Sequence, residues 1–157
     1  MKASIRRLRP GETELLKSFL YEAIFVPPGM EPPDRSIVEL PELRVYYEDF
    51  GSGGADHCLV AEEDGEPVGA VWSRIMDDYG HVDDETPSLA IAVREGYRGR
   101  GRGTRLMWEM LALLKEEGFS QVSLSVQKAN PAMRLYERLG FVTLSENEEE
   151  AIMVRAL

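Results

Sequence analysis

Residues 88–117 read SLAIAVREGYRGRGRGTRLMWEMLALLKEE, and their interpretation decides the fold. Ser88 to Val93 alternates as a strand, with Leu89, Ile91 and Val93 on one face and only the small Ala90 and Ala92 on the other. Such small residues leave room beside a sheet. Thr104 to Glu117 carries Leu106, Met107, Met110, Leu111, Leu113 and Leu114 at helical spacing, and Gly118 closes that helix. Between the two runs Arg98-Gly99-Arg100-Gly101-Arg102-Gly103. At a helix start the first N–H groups lack carbonyl partners and the dipole is positive, so backbone alone can bind an anion. Glycines let that backbone approach closely, and arginines add charge in a fork that suits phosphate oxygens. The ligand expected of such a turn is a phosphate or pyrophosphate. A glycine-rich run also fits a plain solvated loop. An arginine-glycine RNA-binding segment is a further reading, weakened because such segments are usually disordered whereas this one joins two strongly patterned elements.

Working outward, Ser4 to Leu8 is a strand, and Thr13 to Phe25 a helix carrying Leu15, Leu16, Phe19, Leu20, Ala23 and Ile24, stopped by Pro27, Pro28 and Gly29. Asp34 is placed to cap a second helical region that Pro41 kinks or restarts before Gly51. His57 to Glu62 and Glu66 to Met76 are strands joined by Asp64-Gly65, a two-residue hairpin signal. An acidic connection follows, with Asp77, Asp78, Asp83, Asp84 and Glu85. Beyond the long helix, Val122 to Gln127 alternates as a strand. Asn130-Pro131 then opens a helix bearing Met133, Leu135 and Leu139 and ending at Gly140. Phe141 to Ser145 and Ala151 to Ala156 are the last strands, so the order is β-α-α-β-β-β-α-β-α-β-β, a mixed α/β domain.

With 157 residues, 43% apolar and 29% charged, the chain has the size and composition of one soluble domain spanning 1–157. No apolar run follows the basic stretch MKASIRRLRP, and none is long enough to cross a membrane, so a cytoplasmic location without membrane partners is expected. Cys58 is the lone cysteine and reads as a small buried strand residue. The formal net charge of −10 opposes a broad nucleic-acid surface. Against that background five arginines and one acid, Glu95, fall between Arg94 and Arg105, a concentration of cations suited to an anion. His57 and His81 lack ligand-like spacing with Cys58, so no metal is expected.

The pattern R-x-x-G-x-G from Arg98 to Gly103, after a strand and before a helix, resembles the acyl-CoA pyrophosphate loop of the GNAT superfamily of N-acetyltransferases. Further on, Asn130-x-x-x-x-x-Tyr136-x-x-x-Gly140-Phe141 resembles that family's second signature. The resemblance implies a GNAT-like fold, a central mostly antiparallel sheet with a splayed middle pair flanked by about four helices. It implies acetyl-CoA as co-substrate, without a metal, and direct transfer to a small-molecule or peptide amine. By position, Arg98, Gly99, Arg100, Gly101, Arg102, Gly103 and Thr104 would hold the pyrophosphate. Ile91, Ala92 and Val93 would lie along the pantetheine arm, and Asn130 would bind that arm while also serving as a helix cap. Tyr136, also beside the cofactor, would protonate the departing thiolate or stabilise its charge; without the motif it reads equally as a core tyrosine.

No residue announces itself as the base. His81, Asp83, Asp84 and Glu85, or Glu62 and Glu63 on the hairpin, could each accept the amine's proton through water, and Glu85 is the candidate carried forward. The acidic connection would steer a cationic acceptor, or is simply a solvated loop. A non-catalytic acyl-CoA sensor is the alternative function. Homodimerisation is common in the resembled family, but the sequence does not fix it.

Overall fold

The structure is a computed structural model that describes residues 4–157. Met1, Lys2 and Ala3, at the head of the basic stretch, lie outside the described residues. One sheet of seven strands runs through the molecule in the order β1-β2-β3-β4-β5-β7-β6. Its strands are β1 (Ser4–Arg7), β2 (His57–Glu63), β3 (Glu66–Arg74), β4 (Ser88–Val93), β5 (Gln121–Gln127), β6 (Val142–Glu146) and β7 (Glu150–Ala156). Around it lie α1 (Glu14–Ala23), α2 (Pro41–Arg44), α3 (Arg102–Glu116) and α4 (Ala132–Arg138), with a 3₁₀ turn over Arg35–Glu39. All neighbouring strands are antiparallel except β4 and β5.

Local chemistry accounts for these joints. Asp64 and Gly65 both take positive φ, 53° and 80°, which is the turn whose twist matches that of β2 and β3. Asp34 caps the 3₁₀ turn, its side chain accepting the Ser36 N–H, and Pro41 restarts the chain as α2 because its ring fits a first helical turn. β3 ends at Arg74, two residues earlier than the apolar pattern suggests.

Period-two alternation divides the core between the sheet's two faces. Leu59, Val71, Leu89, Leu124 and Met153 meet the stripe of α3 formed by Leu106, Met107, Met110, Leu111 and Leu114. Val60, Ala70, Trp72 and Ala92 point the other way, onto Leu16, Phe19 and Leu20 of α1. The room beside Ala92 is therefore occupied: α1 packs into it. Gly69 on β3 allows a comparable approach on the opposite face, since a Cβ there would stand 3.1 Å from the Ala92 carbonyl oxygen and 3.3 Å from Leu106 Cδ1.

Candidate active site

β4 and β5 begin as a parallel pair and then part. Ser88 and Ser123 are the paired residues, with the Ser123 N–H donating to the Pro87 carbonyl at 2.9 Å. The connection after β3 wedges against β5: a Cβ at Gly80 would lie 3.1 Å from the Ser125 amide nitrogen, and Ser123 Oγ donates to the Gly80 carbonyl at 2.7 Å. Beyond this point opens a cleft of about 300 Å³, lined by Leu89, Ala90 and Ile91 of β4, Leu124 to Gln127 of β5, and Asn130 and Tyr136 around α4.

The glycine-rich turn enters α3 two residues earlier than its apolar pattern suggests. Gly99 and Gly101 take φ of 78° and 79°, and Gly101 stands as N-cap in the left-handed region with no side-chain cap. The amides of Arg102, Gly103 and Thr104 therefore open the helix without intrahelical partners. Gly103 faces Val93, Ile91 and Leu135, each 3.8–3.9 Å from where its Cβ would stand, which places the helix start against β4 and α4.

The arginines divide between structure and surface. Arg102 pairs with Glu63 on β2, donates to the Tyr97 carbonyl at 2.8 Å and stacks over the Tyr97 ring. That guanidinium holds the Glu63 carboxyl below its usual range. Arg98 Nε donates to the Val93 carbonyl at 2.7 Å while its Nη2 lies 3.6 Å from Glu22 on α1. Arg105 forms an (i, i+4) pair with Glu109 at 3.3 Å. Arg100 is exposed at the tip.

Expected arm residues also differ in placement. Arg94 N–H donates to Val68 on β3, so the alternate residues Leu89, Ile91 and Val93 direct their backbone groups towards β5. Ile91 lines the cleft; Ala92 is buried beneath α1, and the Val93 carbonyl is taken by Arg98.

Asn130 combines two positions, for its Oδ1 accepts the Ala132 N–H at 2.9 Å as a cap and the residue lines the cleft. Tyr136 is 8% exposed and its ring sits tilted against Phe141, centroids 6.1 Å apart. Among the described residues nothing hydrogen-bonds its hydroxyl, and burial pushes the phenol up to about 12. A buried phenol without a protein partner, facing a cleft, is a donor in waiting.

The acids considered for the base lie apart from this cleft. Glu85 is exposed and its amide donates to Asp83 Oδ1 at 2.9 Å. His81 Nδ1 donates to the Met76 carbonyl at 2.8 Å and its Nε2 faces Asp84 at 3.7 Å. Glu62 pairs with Arg6 at 2.9 Å, as Glu63 does with Arg102. Two other carboxylates stand closer to the chemistry. Glu150 lines the cleft. Asp78 accepts from Ser88 Oγ at 2.9 Å, at the point where β4 and β5 part, and lies against the cleft residue Tyr46. Burial raises its pKa, against the lowering by Ser88, the Gly80 amide and the Tyr46 hydroxyl. Composition marked Asp78 only as one acid in an acidic connection. Nothing local in the sequence distinguishes it from Asp77.

A sheet parted at its one parallel joint, beside a helix start whose first amides lack intrahelical partners, is the arrangement that the sequence resemblance implies. Comparison with known proteins agrees: the acetyltransferase (GNAT) family pattern matches residues 20–141, and the chain belongs to that family. Residues of the chain are 32% identical over 119 positions to the thialysine N-epsilon-acetyltransferase of Bos taurus, covering 71% of this chain and 70% of that protein. They are 38% identical over 92 positions to the N-alpha-acetyltransferase of Sulfurisphaera tokodaii, covering 53% of this chain and 54% of the relative. Against the mycothiol acetyltransferase of Thermomonospora curvata the identity is 29%, over 88% of this chain and 43% of the relative. The chain thus spans about half the length of these last two relatives. Among solved structures, the PaiA N-acetyltransferase of Thermoplasma acidophilum in complex with coenzyme A superposes with a TM-score of 0.73 at 18% identity, over 100% of both chains. A putative acetyltransferase of Salmonella typhimurium with acetyl-CoA gives the same TM-score and identity over 100% of this chain and 95% of that one. Among the described residues no cluster of His, Cys, Asp and Glu suited to a metal occurs, and no helix is long and apolar enough to cross a membrane.

Proposed function

We propose that residues 1–157 act as one acetyltransferase domain that moves an acetyl group directly from acetyl-CoA to a primary amine. The observation that carries this reading is the Tyr136 hydroxyl, unpartnered at the mouth of the split between β4 and β5 while the adjacent start of α3 offers three amides without intrahelical partners. The fit to the co-substrate rests on those same features. Arg102, Gly103 and Thr104 would bind the pyrophosphate through backbone N–H, Gly99 and Gly101 shape the turn, and Arg100 adds charge from outside. Ile91, whose β5-facing backbone groups have no strand partner, and Asn130 would hold the arm.

Acetyl-CoA, when bound, supplies a thioester whose C–S bond is exchanged for a C–N bond, with one proton leaving the amine and one taken up by the departing thiolate. Tyr136 would donate a hydrogen bond to the sulfur. A phenol near 12 is a weaker acid than a thiol of about 8.5, so outright proton transfer to a thiolate runs uphill, whereas hydrogen-bond stabilisation does not. The proton leaving the amine is received by solvent. Asp78, behind Tyr46, keeps the polar floor of the cleft in place.

The experiment is acetyl-CoA binding by calorimetry followed by thiol release with a mixed panel of amines. Binding with release that requires an amine supports the enzyme; binding without release favours an acyl-CoA sensor, and absence of binding sinks both.

A further inference from the structure

Among the described residues lining the cleft, Glu150 alone carries a formal charge. It opens β7 directly opposite Gln127 of β5. Its position is fixed by the preceding turn, where its N–H donates to Asn147 Oδ1 at 2.7 Å and its carbonyl accepts the Asn147 N–H at 2.9 Å. Among the described residues its carboxylate has no ion-pair partner. Alternation sets the face: Leu124, Val126, Ala151 and Met153 belong to the α3 side of the core, so Ser125, Gln127 and Glu150 point to the α1 side. Apolar and aromatic lining there includes Leu20, Ile24, Phe25, Ile37, Leu43 and the rings of Tyr46 and Tyr79. The cleft therefore offers one carboxylate beside the neutral polar side chains of Ser125, Gln127 and Asn130, under a roof of aliphatic and aromatic groups.

We infer that the acceptor is a small primary amine bearing a single positive charge on an apolar or aromatic body, with Glu150 receiving its ammonium, which gives one proton to solvent before the neutral nitrogen attacks the thioester and loses a second as the thiolate takes one up. This rests on the acetyl transfer proposed above and names its substrate class. Four physical arguments lead there. Among the described residues no Lys, Arg or His lines the cleft, so a carboxylate or phosphate on the acceptor would be desolvated without a partner and repelled by Glu150. A second ammonium, as in a polyamine, would have to sit among Ile37, Leu43 and Phe25 with nothing to neutralise it. An apolar body, by contrast, gains roughly 25 cal/mol for each Å² it buries against that roof. The volume of about 300 Å³, shared with the acyl-bearing end of the co-substrate, limits the body to a small molecule.

The test uses the full chain with saturating acetyl-CoA and reads thiol release with 2-phenylethylamine, hexylamine, spermidine and phenylalanine. The expected result is a kcat/KM for 2-phenylethylamine and hexylamine at least about tenfold above the other two, a difference of ~1.4 kcal/mol. Glu150→Gln should raise the KM for 2-phenylethylamine about tenfold while changing the KM for acetyl-CoA less than about twofold, a split that general loosening of the β6–β7 turn would not produce. A preference for spermidine or phenylalanine overturns the inference and leaves the acetyltransferase reading standing. So does an unchanged KM in the variant. Failure of acetyl-CoA to bind removes that reading first and this one with it. The ranking on the wild-type chain decides the matter even where the variant folds poorly.

Discussion

Arg74 and Asp56 form a two-pronged ion pair, Nε to Oδ1 at 3.2 Å and Nη2 to Oδ2 at 3.0 Å, with side chains only 10% and 3% exposed. The same guanidinium donates through Nη1 to the Val45 and Glu48 carbonyls at 3.0 and 2.7 Å and lies over the Phe50 ring. A strand residue thus gathers the irregular segment 45–56 onto the end of β3, and Trp72 Nε1 adds a bond to the Tyr46 carbonyl at 3.0 Å. Tyr46 is placed at the cleft by these contacts. Removing one member of a buried pair leaves the other desolvated and uncompensated, a loss of about 3–5 kcal/mol. Arg74→Met should therefore lower the unfolding free energy by that order in chemical denaturation. The Arg74→Met, Asp56→Leu double variant should recover part of it, because neither charge is then stranded. Additive losses would mean the pair is not coupled.

Tyr136→Phe removes one hydroxyl and leaves the ring against Phe141. Loss of a single preoriented donor at a developing charge typically costs 10²–10³-fold in kcat, so a fall of about 10²-fold is expected with the Kd for CoA changed less than about twofold. Because burial holds the phenol near 12, its own ionisation should leave no inflection in the wild-type pH profile between roughly 6 and 10. Turnover unchanged by the substitution would remove Tyr136 from the chemistry.

The arginines of the glycine-rich turn should separate by what they touch. Arg98 and Arg102 already bond within the protein, whereas Arg100 projects from the tip. Arg100→Ala is expected to weaken CoA binding about three- to tenfold and to flatten its salt dependence, as removal of an exposed charge near a phosphate does. Arg98→Ala should change affinity less, since displacing it from the Val93 carbonyl opposes whatever it contributes. Arg102→Ala should act chiefly on melting temperature. Titration calorimetry at two ionic strengths distinguishes the three, and an Arg98 variant that binds worst would reverse this ordering.

Elements with a periodic pattern were legible because their signals are local. Asp64-Gly65 names its turn through two adjacent residues, and the stripe from Leu106 to Leu114 names a helix through its own spacing. The start of α3 lies two residues ahead of its apolar pattern because Arg102 and Gly103 carry no apolar signal, while the cap is a backbone conformation at Gly101. Side-chain partners were not legible at all: Arg98 reaches Glu22, 76 residues away in sequence, and no spacing rule joins them. The half of the cleft proposed above to take the acceptor is hidden for the same reason. Tyr46, Tyr79 and Glu150 come from three separate loops or strand ends, and only the sheet order brings them to one opening.

Asp78 yields a prediction with a definite sign. Burial raises its folded pKa above the unfolded value, so the folded state holds that proton more tightly than the unfolded chain does. The stabilising contribution is therefore complete below the unfolded carboxylate range and disappears as pH rises through the raised folded value. Once ionised, the group is a burden on the fold, eased by Ser88 Oγ, the Gly80 amide and the Tyr46 hydroxyl. Asp78→Asn keeps an acceptor for Ser88 and takes away the charge. It should raise the melting temperature at pH values above the raised folded pKa, and the gain should vanish as pH falls below the folded pKa of the wild type. Thermal melts of both proteins between pH 4 and 8 measure this directly. A variant less stable than wild type above that pKa would show that the Asp78 carboxylate is held by its neighbours more strongly than burial opposes it.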